Sequence, residues 1–231
     1  MKNVYKFYDE ELGRHKYFIT EYPGNDYIEK TVTYLCELDS YDGQNKPGRI
    51  EVHMRNGRRY IIECWVTYYT TQYGIQVSHD GQFVYVNSDE KGLWCYTYRG
   101  ELVWKTRYTS VSYVIPHPNN SITCVTTTKI LIIDCMGNII KQVPIYREGM
   151  SEMASDTIIV SNTSENVISV FDGYSLNVLY KISLKALGLD YILETKLEND
   201  TLTIEAYSLK KQTVTVIIDL KNDPSVIQKY V

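Results

Sequence analysis

A chain of 231 residues with 44% hydrophobic and 23% charged residues has the balance of a globular domain, not of a disordered tail. Its formal charge of −4 and pI near 5.6 exclude the strongly basic footprint of a typical nucleic-acid binder, although 24 Lys and Arg leave room for a local basic patch. No apolar run approaches the roughly 18 residues of a membrane span, and Met1 to Glu10 hold no apolar signal core, so a cytoplasmic protein with no membrane partner is expected.

Five cysteines, Cys36, Cys64, Cys95, Cys124 and Cys135, make an odd count without a CxxC pair. They predict buried, reduced thiols and not a disulfide frame. The 22 Tyr against 4 Phe and 3 Trp favour half-buried strands with the hydroxyl at a wet edge, and tyrosine is also a frequent interface anchor.

In chain order, the first fifteen residues alternate Val4, Tyr5, Phe7 and Tyr8, which predicts either a closing strand or a segment over one face. Strands follow over Lys16–Tyr22 and Thr31–Leu38, then a hairpin over Ile50–Ile62 turning at Gly57. Tyr73–Ser78 and Phe83–Asn87, joined by His79-Asp80-Gly81-Gln82, precede a hairpin over Leu93–Trp104 turning at Gly100. Val111–Ile115 and Ile122–Thr126 flank Pro116-His117-Pro118-Asn119-Asn120 and precede a hairpin over Ile130–Ile140 turning at Gly137. A weakly marked strand near Met150–Ala154 and a clear one over Thr157–Ser161 precede a hairpin over Val167–Ile182, turning through Asp172-Gly173-Tyr174-Ser175. Ser183–Leu189 predicts a helical turn or two. Tyr191–Leu197 and Thr201–Tyr207 then lead to Val214–Val231, turning near Asn222.

The hairpins begin at residues 50, 93, 130, 167 and 214, so successive starts lie 43, 37, 37 and 47 residues apart. Glycine in the turns fits tight hairpins that need a positive φ. A period near 40 residues with four strands per unit predicts an all-β fold, a small β-propeller of about five four-stranded blades. One blade cannot bury both its faces, so neighbours must stack. The expected organisation is a single domain, 1–231, with blades near 16–65, 73–107, 111–145, 150–183 and 191–231.

Two segments carry a family resemblance. Gly92–Arg107, through Gly100-Glu101-Leu102-Val103-Trp104, resembles the quinoprotein-type propeller repeat, in which Gly-x-x-x-Trp follows a strand and its turn. Ser78-His79-Asp80-Gly81-Gln82-Phe83-Val84-Tyr85-Val86 is similar to the Ser-Pro-Asp-Gly turn and strand of YVTN-like and WD-repeat propellers, with His79 in place of proline. The resemblance covers one blade well and the others in pattern. It implies a fold and brings no active site.

Chemistry-bearing motifs are sparse. His15, His53, His79 and His117 show no metal-ligand spacing, and no phosphate loop or nucleophile elbow occurs, so neither metal nor cofactor is expected. His79 and His117 are expected at equivalent turns, hydrogen-bonding their own loops. Asp9-Glu10-Glu11, Asp89-Glu90 and Glu198-Asn199-Asp200 lie in expected turns, where solvated acids are the default. Asp39-Ser40-Tyr41-Asp42-Gly43 is the nearest approach to a calcium loop, but Ile50 occupies the twelfth position.

Loops joining one blade to the next share a face with the loops between second and third strands. Tyr41, Tyr68, Tyr69, Tyr73, Tyr108 and Tyr146 fall there with mixed charges, Asp89 and Glu90 among them. Aromatics inside a charged rim suit a protein-binding surface. The expectation is a non-enzymatic protein-interaction module, specifically an immunity or antitoxin protein that blocks a toxin such as a basic nuclease, aided by electrostatic steering. The alternative is a small propeller hydrolase or lyase, or a sugar-binding lectin, with its site at a central channel where Glu21 and Glu194 are the acids available. The starting Met1 and the full set of repeats argue against a fragment of a larger scaffold.

Overall fold

The computed structural model describes residues 2–9, 14–36, 46–66, 74–88, 92–107, 111–145, 153–154, 158–164, 167–198, 200–221 and 227–230. These form strands and turns, ordered as five antiparallel sheets. The first sheet runs β1 (Lys2–Asp9), β2 (Arg14–Pro23), β3 (Ile28–Cys36), β4 (Lys46–Met54) and β5 (Arg59–Val66). The N-terminal segment is therefore a fifth strand, paired along β2 from Lys2 opposite Glu21 to Asp9 opposite Arg14. The second sheet runs β6 (Ile75–Val77), β7 (Phe83–Ser88), β8 (Gly92–Thr97) and β9 (Leu102–Lys105). The third runs β10 (Val111–Pro116), β11 (Ile122–Thr126), β12 (Lys129–Ile133) and β13 (Ile139–Pro144). The fourth runs β14 (Met153–Ala154), β15 (Ile158–Ser164), β16 (Val167–Asp172) and β17 (Val178–Ser183). The fifth runs β18 (Leu189–Glu198), β19 (Thr201–Ser208), β20 (Thr213–Asp219) and β21 (Ile227–Tyr230).

Three hairpins share one turn. Met54, Thr97 and Asp134 each donate their N–H to the carbonyl four residues on and accept from the glycine three residues on, at 2.8–3.0 Å. Those glycines, Gly57, Gly100 and Gly137, sit at φ of +81°, +97° and +88°. This is a type I turn closed by a left-handed residue, which explains the glycine at each. The fourth hairpin turns through Asp172-Gly173-Tyr174-Ser175, as expected, but by a longer loop. Asp172 N–H reaches one residue further, to Asn177, and the left-handed position falls to Leu176 at φ +53°. The Asp172 carboxylate accepts from the N–H groups of Tyr174 and Ser175, which widens the loop. Leu176 is buried, so its apolar contact offsets the roughly 1–2 kcal/mol cost of the backbone. The expected turn at Asn222 lies outside the described residues.

The chain divides into two compact units, Met1–Thr126 with Ile133–Ile140, and Thr127–Ile132 with Lys141–Val231. In the first, alternate residues of the first and second sheets make one core. Tyr22, Ile28, Ile50, Val52, Ile62 and Cys64 pack against Ile75, Val84, Val86 and Tyr96. The hairpin turns of the second and third sheets also dock on the outer strand of the preceding sheet. Tyr60, opposite Val52, meets the turn residue Tyr98 edge-on with centroids 5.1 Å apart. Trp104, opposite Cys95, occupies the matching register one sheet on and donates its indole N–H to Cys135 of the next turn. A bulge beside Cys95 inserts Val103 and sets that register. The tryptophan of the quinoprotein-like repeat is thus a docking residue.

The turns joining β2 to β3, β6 to β7 and β10 to β11 are stitched in the same unit. Asn25 donates to the Ser78 carbonyl (2.6 Å), and Asn120 donates to the Asp80 carboxylate (2.6 Å). Burial alone would raise the Asp80 carboxyl, but bonds from Gln82 N–H, Ser78 and Asn120 hold it below the usual range. His79 and His117 lie in equivalent turns, as expected, but one position out of step, and His79 bonds the Pro116 carbonyl at the end of β10 (3.1 Å) where a bond within its own loop was expected. The left-handed residues Gly81 and Asn120 close their turns on Ser78 and His117, so His117 corresponds to Ser78 and Pro118 to His79. His117 is 4% exposed, with its ring nitrogens bonded to Ser121 Oγ (2.7 Å) and Thr123 Oγ1 (2.9 Å).

In the second unit, Ile158, Val160, Ile168, Val170 and Ile182 pack against Leu202, Ile204, Ala206, Val214, Val216 and Ile218. Strict alternation in β19 and β20 places these residues on one face and leaves the other to solvent. Lys141 donates to the Ser175 carbonyl (2.8 Å) and to Asn177 (3.1 Å), tying its strand to the fourth hairpin.

Candidate interaction surface

Tyr41, Tyr68, Tyr69, Tyr73, Tyr108, Tyr146, Asp89 and Glu90 all lie outside the described residues. Within the loop face expected from the sequence, the stretches 127–129, 184–190 and 208–213 are described completely. Ser183 caps a single helical turn: its Oγ accepts from Ala186 N–H and its carbonyl from Leu187 N–H, both at 3.2 Å. Gly188, at φ +66°, ends the turn as Leu189 N–H returns to Leu184 and Gly188 N–H to Lys185. The expected helical segment is thus one turn, too short to be a helix.

The hairpin between β19 and β20 uses the three-residue loop seen at Gly57, Gly100 and Gly137. Ser208 N–H bonds to Gln212, and Lys211 N–H returns to Ser208. Here the left-handed residue is Lys211, at φ +59°. Leu209 N–H donates to the Gly188 carbonyl at 3.1 Å, locking the two loops together. The tip exposes Leu209 (66%), with Lys210 and Lys211 also exposed.

Beside this tip, the solvent face of the fifth sheet carries two cross-strand pairs. Tyr191 stands opposite Tyr207, and Glu194 opposite Glu205. All four are exposed, Tyr191 at 64% and Tyr207 at 42%. A bulge between Ile192 and Glu194 pushes out Leu193, which is also exposed. Apart from Glu194, none of these residues stood out from the sequence. The signal was the alternation of Leu202, Ile204 and Ala206 with Thr203, Glu205 and Tyr207.

A second polar cluster lies on the first sheet. Glu51 holds Arg49 through one carboxylate oxygen (3.2 Å), and His53 (3.1 Å) and the Tyr34 hydroxyl (3.4 Å) through the other. The Arg49 guanidinium lies 4.5 Å over the Tyr34 ring. Burial first, then the Glu51 charge, raise the Tyr34 phenol, the direction opposite to an activated nucleophile. The arrangement is a carboxylate held by three partners, suited to fixing strands in place. Of the two acids available for a channel site, Glu21 is ion-paired to Lys30 at 2.8 Å and Glu194 faces Glu205. Among the described residues, no group of three or more His, Cys, Asp or Glu is placed to hold a metal ion.

No family model and no curated protein matches this sequence. Solved structures do. BamB from Moraxella catarrhalis aligns over 100% of this chain and 63% of its own, at 11% identity and a TM-score of 0.53. A chain of the mitotic checkpoint complex aligns over 87% of this chain and 60% of its own (11% identity, TM-score 0.48). A Bacteroides caccae protein of unknown function aligns over 99% of this chain and 90% of its own (10% identity, TM-score 0.41). The chain therefore spans less than two thirds of the length of BamB. Five antiparallel sheets with recurrent turns and docking contacts, together with the likeness to BamB, itself a β-propeller, show the fold of this chain to be an all-β propeller.

Proposed function

We propose that this protein is a non-enzymatic protein-interaction module, and that it acts as an immunity protein by covering the working surface of a basic toxin domain. The observation that carries the module reading is the exposed cluster of Tyr191, Tyr207 and Leu209 on strands and loops held by backbone hydrogen bonds. Rigid aromatic anchors such as tyrosine lose little entropy on binding and are typical hot-spot residues. The formal charge of −4 supports a basic partner through steering of the encounter. Blocking a toxin needs only such a surface, with no reaction of its own.

The test pairs binding with folding. Partner captured by the wild-type protein is measured against Tyr68→Ala/Tyr69→Ala, recording dissociation rate and melting temperature on the same samples. The expected result is a loss of about 2–4 kcal/mol in affinity through faster dissociation, with the melting temperature held. A large stability loss with an unchanged off-rate removes Tyr68 and Tyr69 from the interface. A partner without toxicity to its host cell retires the immunity reading. Turnover of a small substrate that is abolished by Glu21→Gln or Glu194→Gln establishes the channel-site alternative instead.

A further inference from the structure

We infer that the solvent face of β18 and β19 docks a basic protein segment, which lays arginine side chains over the Tyr191–Tyr207 pair and between Glu194 and Glu205. This rests on the interaction-module reading and names the chemistry of the partner. On an ordinary half-buried sheet the solvent face is polar and mixed in charge. Here two tyrosines stand opposite one another in the open, with Leu193 pushed out beside them. Along the same strands, two carboxylates directly oppose each other. Like charges across a strand pair repel in the free protein.

Nothing described on this face neutralises the acidic pair. Lys196, next along β18, forms an ion pair with Glu198 at 2.9 Å. On β20, the residues opposite Glu205 and Tyr207 are the neutral Thr215 and Thr213. A guanidinium satisfies both halves of the site, because it stacks on a tyrosine face and bonds a carboxylate in a bidentate fork. Phosphate groups would meet Glu194 and Glu205 and be repelled, which sets nucleic acid aside. A glycan could stack on the tyrosines but would leave the repulsion between the carboxylates in place.

The experiment uses the full chain and three probes: a labelled octapeptide alternating arginine and valine, its glutamate–valine counterpart, and maltohexaose. Binding is followed by fluorescence anisotropy, or by competition for the sugar, at low and high salt, with hydrogen exchange to map protection. The arginine peptide is expected to bind, to protect residues 189–208, and to weaken with salt. Glu194→Gln/Glu205→Gln, which keeps shape and removes charge, is expected to weaken it by about tenfold or more, and Tyr191→Ala/Tyr207→Ala similarly. Affinity for either variant equal to that for the wild type overturns the inference, as does protection confined to other strands or preference for maltohexaose or the acidic peptide. Should the tyrosine variant fail to fold, the glutamine variant alone decides. A toxin partner that binds the glutamine variant as tightly as wild type overturns this surface and leaves the module reading intact. Absence of any protein partner for the wild-type chain removes the module reading itself.

Discussion

The indole N–H of Trp104 donates to the Cys135 carbonyl at 3.1 Å, from the outer strand of one sheet to the hairpin turn of the next. The same turn brings Gly137 against the tryptophan, so that a Cβ there would sit 2.8 Å from Trp104 Cγ. Gly57 has almost the same backbone, φ +81°, with nothing within 4 Å of its missing Cβ. Gly57→Ala is therefore expected to cost about 1–2 kcal/mol, the left-handed backbone alone, and Gly137→Ala about 1–3 kcal/mol more. Trp104→Phe, which leaves the carbonyl without its donor, should lose about 1–2 kcal/mol. Urea unfolding of the three variants checks this. Equal costs at Gly57 and Gly137 would mean that the turn does not dock tightly on the tryptophan.

Lys211 occupies a position that glycine fills in three other hairpins of the same hydrogen-bonding pattern. Its side chain is exposed, so little packing is lost when it is removed. Lys211→Gly should stabilise the protein by about 0.5–1 kcal/mol, the left-handed cost recovered less the added freedom of the unfolded chain. A melting curve that is unchanged or shifted downward contradicts the assignment of strain to this residue.

Glu194 and Glu205 form a like-charged cross-strand pair. Two unit charges about 6 Å apart in water repel by about 0.7 kcal/mol. Glu205→Lys turns that repulsion into attraction and should raise stability by about 1 kcal/mol at low salt, with the gain fading as salt is added. Thermal melts across a salt series measure it, and a salt-independent change would point to packing instead of charge.

Burial pushes the thiols of Cys64, Cys95 and Cys124 up to about 12, with the nearby Cys135 adding to the effect at Cys95. Burial likewise raises the phenols of Tyr22, Tyr85 and Tyr96. Above the ordinary thiol value of 9.0, the unfolded chain has released protons that the folded chain keeps, so stability falls as pH rises from about 9 towards 12. Each buried thiol contributes a slope of at most about 1.4 kcal/mol per pH unit in that window. Denaturant midpoints measured from pH 7 to 11 test the direction. In the native protein at pH 8, Cys135, only partly buried, should be alkylated well before these three, which are free but enclosed. Rapid modification of Cys124 would refute the enclosed core.

Much of the fold was legible because propeller-type repeats write themselves into the sequence locally. Gly57, Gly100 and Gly137 mark turns whose backbone strongly favours glycine, and the alternating strands on either side must present one face to a neighbour. The fourth hairpin was placed at its turn, Asp172–Ser175, but its loop length was not legible, because Leu176 takes the left-handed position, held by burial that a local pattern does not display. The equivalence of the turns holding His79 and His117 was legible, but their register was not, for a related reason. Counting along the sequence aligned the two histidines, whereas the hydrogen bonds that close each turn align His117 with Ser78.

The sequence by itself determined the strand order, the positions of most turns and the all-β class, since these depend on residues within a few positions of one another. Tertiary structure decided which side of each sheet is core and what meets across it. Trp104 could be read as a docking residue, but its acceptor, Cys135, lies 31 positions away and is brought to it by sheet stacking. The same holds for the solvent face of the fifth sheet. Tyr191 and Tyr207 are 16 positions apart, and Glu194 and Glu205 are 11 apart. Only the register of β18 on β19, set by bulges at residues 190 and 193, turns them into facing pairs. A one-residue slip would carry each to the opposite side of the sheet, and no local pattern records which register the packed core selects.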